Sequence, residues 1–347
     1  MKRALNPMTV KEKLEEQFKH FSLKPVDRTS NLAHFYADFY EIEALLLNGD
    51  AFTSAEFINR FKGKDLKPKD LFDIFRVDPD SPVENDDSLD AWPDRAVPYE
   101  DDDSFDAWAG QVIQILEHRW AQFDEDYPFD VEPKSISLRE NLNVRQKIYI
   151  FLLLCANLNY FDKLEPRLTS EFEQLSFEVL KTFLSDSAIV KQLGKNSDYS
   201  GTAKTKLRAL ANEMGVAVKE KDFRKIKGVQ DRGLDVIGWI PFKDRYACFL
   251  CFLGQCACGK KWFSKQNETR RFSCNYFDFG KLMPTHVLFI PSALCFYDDF
   301  FQSDEITHSL VFERFRLLEF IQDTNFFDRL DGKEIVEYCI SFESDLV

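Results

Sequence analysis

Two apolar runs set close together in GLDVIGWIPFKDRYACFLCFLGQC (residues 233–256) constrain the fold more than any other stretch. LDVIGWIPF (234–242) and YACFLCFLGQ (246–255) are rich in β-branched and aromatic residues. Only KDR separates them, too short a link for anything but an antiparallel return. The pattern predicts a buried hairpin. With its turn near Asp244, Gln255 comes back to within about two or three residues of the level of Asp235. The two share a face of the sheet only if paired residue numbers add to an even value, because a one-residue slip turns every side chain over.

The hairpin sits in a chain whose first 190 residues read as almost wholly helical. TVKEKLEEQFKHF opens with Thr9 and has Glu12 three residues on, a capping-box spacing. SNLAHFYADFYEIEALLLNG carries apolar residues at helical intervals and stops at Gly49. The segment 78–106 holds Pro79, Pro82, Pro93 and Pro98 and reads as a linker. A short echo, DDSLDAWPD and DDSFDAWAG, lies within and just beyond it, and its second copy starts a helix. YPFDVE (127–132) reads as a turn, followed by helices over LRENLNVRQKIYIFLLLCANLNYF and LTSEFEQLSFEVLKTFL.

Beyond residue 201 the pattern changes. TAKTKLRALANEMG is a helix ended by Gly215, with room for a strand at 216–229 before the hairpin. KKWFSKQNETRRF follows as a helix, THVLFIPSAL (285–294) as a strand, and SDEITHSLVFERFRLLEFIQ as a capped helix, with a shorter one from Gly332. The expected fold is therefore α/β: a helical N-terminal half, an α-β-β-β-α-β core and C-terminal helices. Its expected divisions are 1–77, an acidic linker 78–106, a helical domain 107–190, the core 191–301 and the tail 302–347.

The net charge of −14 is unevenly spread. Residues 78–106 contain twelve Asp/Glu against Arg95 alone, whereas 191–271 contain eighteen Lys/Arg against eight Asp/Glu. A basic segment inside an acidic protein points to a polyanionic partner, here DNA, with Lys227, Arg232, Lys265, Arg270 and Arg271 as the candidate contacts. The same residues also suit an ordinary solvated face. The acidic segment reads as a solvated linker, as a shield over the basic region, or as a dock for a basic partner protein. The charged N-terminus lacks the apolar core of a signal peptide, and the longest apolar runs fall short of the roughly 20 residues a spanning helix needs. The expected setting is cytoplasmic, with no membrane.

An acceptor pair such as Asp235 and Gln255, with lysines beside it, suits a hard divalent cation and an anionic substrate. The order of elements, with GLD on one strand and GQC on the next, resembles the PD-(D/E)XK restriction-endonuclease-like superfamily and is most similar to its Mrr-like branch. The resemblance covers about residues 202–295, and the flanking helical segments resemble a bacterial family that carries such a core. It implies a Mg²⁺- (or Mn²⁺-) dependent DNA nuclease of an anti-phage or restriction system. Asp235 would then be the metal-binding aspartate, Gln255 the Glu/Gln of the third motif, and Glu213 the acid of the first helix.

The family's lysine belongs two residues after Gln255, where this chain has Ala257. Either Lys260 or Lys261 serves instead, or the core is degenerate and the chain is a non-catalytic DNA-binding or scaffold subunit. The cysteine spacing C-x2-C-x4-C-x-C (248–258) suggests zinc, but on a strand Cys248 and Cys251 fall on opposite faces, which favours packing. His20, His34, His118, His286 and His308 are scattered, and no P-loop or G-x-S-x-G is present.

Overall fold

The computed structural model describes residues 9–18, 34–47, 49–62, 102–226, 233–242, 244, 248–259, 262–294 and 309–342. The chain divides into two compact units, 1–21 with 143–338, and 22–142 with 339–347.

The 22–142 unit packs helices His34–Leu45, Ser54–Lys62 and Asp102–Phe123 with a three-stranded antiparallel sheet of Phe52–Thr53, Ser135–Leu138 and Phe129–Glu132. The stretch expected as a turn at 127–132 is thus mostly a strand, paired residue for residue with 135–138. The helix begun by the second echo starts at Asp102, so the last residues of the expected linker are helical, and 63–101 lie outside the described residues. Aromatic rings fill the core. Trp108 stacks on Phe57 at 4.6 Å and meets the edges of Tyr36 and Phe61. Inside the same core, Arg119 is fully buried between Asp38 (2.8 Å) and Glu41 (2.9 Å). The Tyr127 hydroxyl donates to the same Glu41 oxygen at 2.8 Å.

The other unit is built on a five-stranded mixed sheet. Its strands are β1 (Ile189–Gln192), β2 (Val236–Trp239), β3 (Cys251–Cys256), β4 (Thr285–Phe289) and β5 (Leu310–Phe312), lying side by side in chain order. The first three run antiparallel to their neighbours, whereas β4 is parallel to β3 and β5 to β4. Around the sheet lie α1 (Val144–Ala156), α2 (Glu165–Phe183), α3 (Ala203–Met214), α4 (Arg314–Glu319) and α5 (Asp331–Ile340). One face packs on α2: Phe183 meets Phe252, and the Cα of Gly238 lies against Leu180 and Leu184. The opposite face carries Ile237, Trp239, Cys251 and Leu253, buried with Leu207, Leu210 and Ala211 of α3 and with Phe272 and Phe277.

Several local expectations hold. Thr9 and Glu12 exchange the two hydrogen bonds of a capping box before helix Val10–Phe18. Helix α3 starts at a Thr202 cap and stops where Gly215 turns left-handed at φ +73°. Hairpin β2–β3 forms, although shorter than its apolar runs.

The core is framed differently from the expectation. Its first strand is β1, not a segment of 216–229, where only Ala217–Val218 is extended and pairs with Phe277–Asp278. The helix entering the sheet is therefore α2, and α3 lies within the connection from β1 to β2. Helices α1 and α2, expected in a separate domain 107–190, belong with the sheet. The stretch 260–272, expected as one helix, contains a 3-10 turn at Trp262–Lys265 and leads into a π-helical turn at Phe272–Tyr276. Lys219 Nζ satisfies two carbonyls of that π turn, Ser273 at 2.7 Å and Cys274 at 3.2 Å. The expected helix 303–322 is instead strand β5 followed by α4, with the Glu313 carboxylate between them accepting from the Phe315 and Arg316 amides.

Candidate functional site

The register of the hairpin decides what its end can do. Val236 stands opposite Gly254, so one step further Asp235 stands opposite Gln255, which meets the parity condition for a shared face. The backbone of Asp235 is fixed from both sides: its N–H donates to Gly254 O at 3.0 Å, and its carbonyl accepts from Leu193 N at 2.8 Å. Its Oδ2 accepts from Cys256 N at 2.7 Å. Both side chains are buried, Asp235 at 8% exposure and Gln255 at 4%.

Gln255 Nε2 donates to Glu268 Oε2 at 2.9 Å, while its Oε1 is buried with no hydrogen-bond partner among the described residues. Glu268 also lies 3.5 Å from Lys265 Nζ and 3.8 Å from Arg271 Nη2. Next to it, Thr269 Oγ1 and His286 Nδ1 share a hydrogen bond of 2.8 Å. Gly233, at φ +82°, makes this crowding possible: a Cβ there would sit 2.6 Å from Glu268 Oε2 and 3.3 Å from Gln255 Nε2.

Cys256, one residue along, turns to the α2 face. Burial pushes its thiol well above the ordinary range, and the nearby Asp235 and Glu173 carboxylates push the same way. Cys258 is raised by burial, then by Glu173 and Asp235. These thiols stay protonated at neutral pH and are neither nucleophiles nor ready metal ligands. Glu173, on α2, also accepts the Lys195 amide at 3.0 Å.

Of the sequence candidates, the structure brings Asp235, Gln255 and Lys265 to one neighbourhood, with Arg271 beside them and Arg270 exposed on the same turn. Glu213 is held elsewhere, accepting from the Tyr199 hydroxyl at 2.5 Å and pairing with Lys191 at 3.4 Å. The carboxylate that α2 carries toward Asp235 is Glu173, which sequence reasoning passed over because α3 was taken as the leading helix. Glu268 was also missed. Its position thirteen residues after Gln255, in a basic segment, carried no pattern of its own. Ala257 is buried with Trp262, Leu288 and Ile290. Lys260, Lys261, Lys227 and Arg232 lie outside the described residues. Cys248 is exposed and Cys251 buried in the α3-side core, so those two thiols do not converge.

Among the described residues no three His, Cys, Asp or Glu side chains gather as a metal cage. A site for Mg²⁺ needs fewer, because that ion keeps several waters and takes only one or two protein oxygens. The buried, unengaged Gln255 Oε1 facing an aspartate across two strands fits such a hard cation. Comparison of the chain with known protein families, curated proteins and solved structures finds no match.

Proposed function

We propose that the chain is a Mg²⁺-dependent nuclease that hydrolyses DNA phosphodiesters, with Asp235 and Gln255 holding the cation. The observation that carries this reading is the pairing of Asp235 with Gln255 across β2 and β3, with Gln255 Oε1 left without a partner. The sheet supports it too. A helix, three antiparallel strands, a helical connection and a strand parallel to the third match the order in the PD-(D/E)XK resemblance, once α2 and β1 are taken as the start. When bound, Mg²⁺ would neutralise phosphate charge and lower the pKa of a bound water. The chain's own residues orient the cation and supply positive charge, from Lys260 or Lys261 beyond Ala257 and from Lys265, Arg270 and Arg271 on the next turn. The resemblance extends the reading to a cytoplasmic defence or restriction system, in which the acidic 78–106 segment docks a basic partner protein.

A second reading, a non-catalytic DNA-binding or scaffold subunit, is favoured by one observation. At the position of the family's lysine, Ala257 is packed into an apolar cluster. The two readings separate in one assay: incubation of supercoiled and linear DNA with Mg²⁺ or Mn²⁺, wild type beside Asp235→Asn. Cleavage by the wild type alone supports the nuclease. Salt-dependent DNA binding by both proteins with no cleavage by either supports the subunit.

A further inference from the structure

The two ends of a glutamine amide are opposites to a cation: Oε1 offers lone pairs and Nε2 offers protons. Which end of Gln255 faces the site depends on what holds the other. Glu268 Oε2 stands 2.9 Å from Nε2, and an ionised carboxylate only accepts, so it selects the amide nitrogen. The oxygen is therefore the end left over, and it is buried without a partner. Leaving a buried acceptor unmade costs about 1–3 kcal/mol, and a fold retains such a group where a ligand completes it.

Glu268 is itself held in place. Lys265 lies 3.5 Å from Oε1 and Arg271 3.8 Å from Oε2, while Arg271 Nε donates to the Glu268 carbonyl at 2.9 Å. Gly233 keeps the space between Glu268 and Gln255 clear of any side chain. With Gln255 and two cations around its oxygens, Glu268 is not arranged as a metal ligand.

We propose that Glu268 is a positioning residue that locks the Gln255 amide with Oε1 presented to a divalent cation shared with Asp235. This rests on the metal-site reading of Asp235 and Gln255. It goes beyond that reading by assigning the selectivity of the glutamine to a residue outside the hairpin.

The test is Mn²⁺ binding to the full chain by titration calorimetry, with the melting temperature of each metal-free protein recorded alongside. Glu268→Ala frees the amide and lowers Mn²⁺ affinity by about 10–100-fold, the usual effect of losing a group that orients a ligand. Glu268→Gln can still accept from Nε2 through its own carbonyl and stays within about threefold of wild type. The swapped pair Gln255→Glu/Glu268→Gln reverses the hydrogen bond, puts a carboxylate in the ligand position and binds at least as tightly as wild type. The inference is overturned if Glu268→Ala binds like wild type, or if affinity in all variants only tracks melting temperature, as a structural brace would give. It is also overturned if a folded swapped pair loses binding, or if wild type binds no Mn²⁺. DNA cleavage is not read here. Intact, Glu268-dependent Mn²⁺ binding without cleavage would refute the nuclease and leave this inference standing.

Discussion

Asp235 Oδ2 accepts the Cys256 N–H at 2.7 Å, so the side chain at the head of β2 closes the last rung of its own hairpin. Removing that side chain disturbs both the chemistry and the ladder. Asn at 235 retains an acceptor, whereas Ala strands a buried N–H. Urea unfolding should place Asp235→Asn within about 1 kcal/mol of wild type and Asp235→Ala about 1–3 kcal/mol below it. Equal losses would mean that the hydrogen bond contributes nothing. The asparagine variant is accordingly the one suited to activity assays.

Two glycines should respond to alanine with opposite signs. At Gly254 on β3 an added Cβ would stand 2.9 Å from the Phe289 ring and 3.0 Å from the Val236 carbonyl, which is backbone and cannot swing away. Gly254→Ala should destabilise by about 1–3 kcal/mol. At Gly110, inside helix Asp102–Phe123, nothing lies within 4 Å of the added atom. Gly110→Ala should stabilise by about 0.5–1 kcal/mol through helix propensity. Thermal melts of the two single variants decide both.

Arg119 is the single cation between the buried carboxylates of Asp38 and Glu41 in that cluster. Arg119→Ala leaves two uncompensated acids in an aromatic core, and a loss of about 3–5 kcal/mol follows. The double variant Asp38→Asn/Glu41→Gln in the Arg119→Ala background should recover part of it. No recovery in denaturant unfolding would show that the loss comes from the cavity and not from charge.

Glu171, on α2 and 7% exposed, accepts the Asp331 and Gly332 amides at the start of α5. Burial nonetheless raises its pKa from 4.5 to about 7, against the lowering effect of those amides. The folded state thus holds this proton more tightly than the unfolded chain does. The associated stability is fully present below the unfolded pKa and is lost as pH rises through about 7, a change of about 3 kcal/mol. Glu171→Gln mimics the protonated form. Unfolding free energies at several pH values from about 4.5 to 8 should show the wild type falling relative to the variant. Parallel curves would mean that Glu171 is charged throughout.

Much of the candidate site was legible because hairpins are local. The apolar runs around KDR, the parity condition and the twenty residues from Asp235 to Gln255 depend on nearby chain, and the register met them. The glycine after α3 and the capping box at Thr9 were legible for the same reason. The carboxylates around the site were not. Glu173 comes from a helix sixty-two residues before Asp235, and Glu268 is positioned by a run of 3-10 and π turns that no single period describes.

The amino-acid sequence by itself determined where chain direction reverses, which faces are apolar and which residues start and stop the helices, because these follow from backbone sterics and short-range hydrogen bonds. Tertiary structure decided which segments become strands at the sheet edges. Ile189–Gln192 is four residues long, and Leu310–Phe312 is set in a helix-like pattern. Each is extended because the neighbouring strand offers a row of backbone partners, β2 to the first and β4 to the second. With β1 in place, α2 becomes the helix that packs on the sheet, and Glu173 rather than Glu213 is the acid near Asp235. Those long-range pairings are set by competition for buried hydrogen bonds across the whole sheet, which no local window of sequence contains.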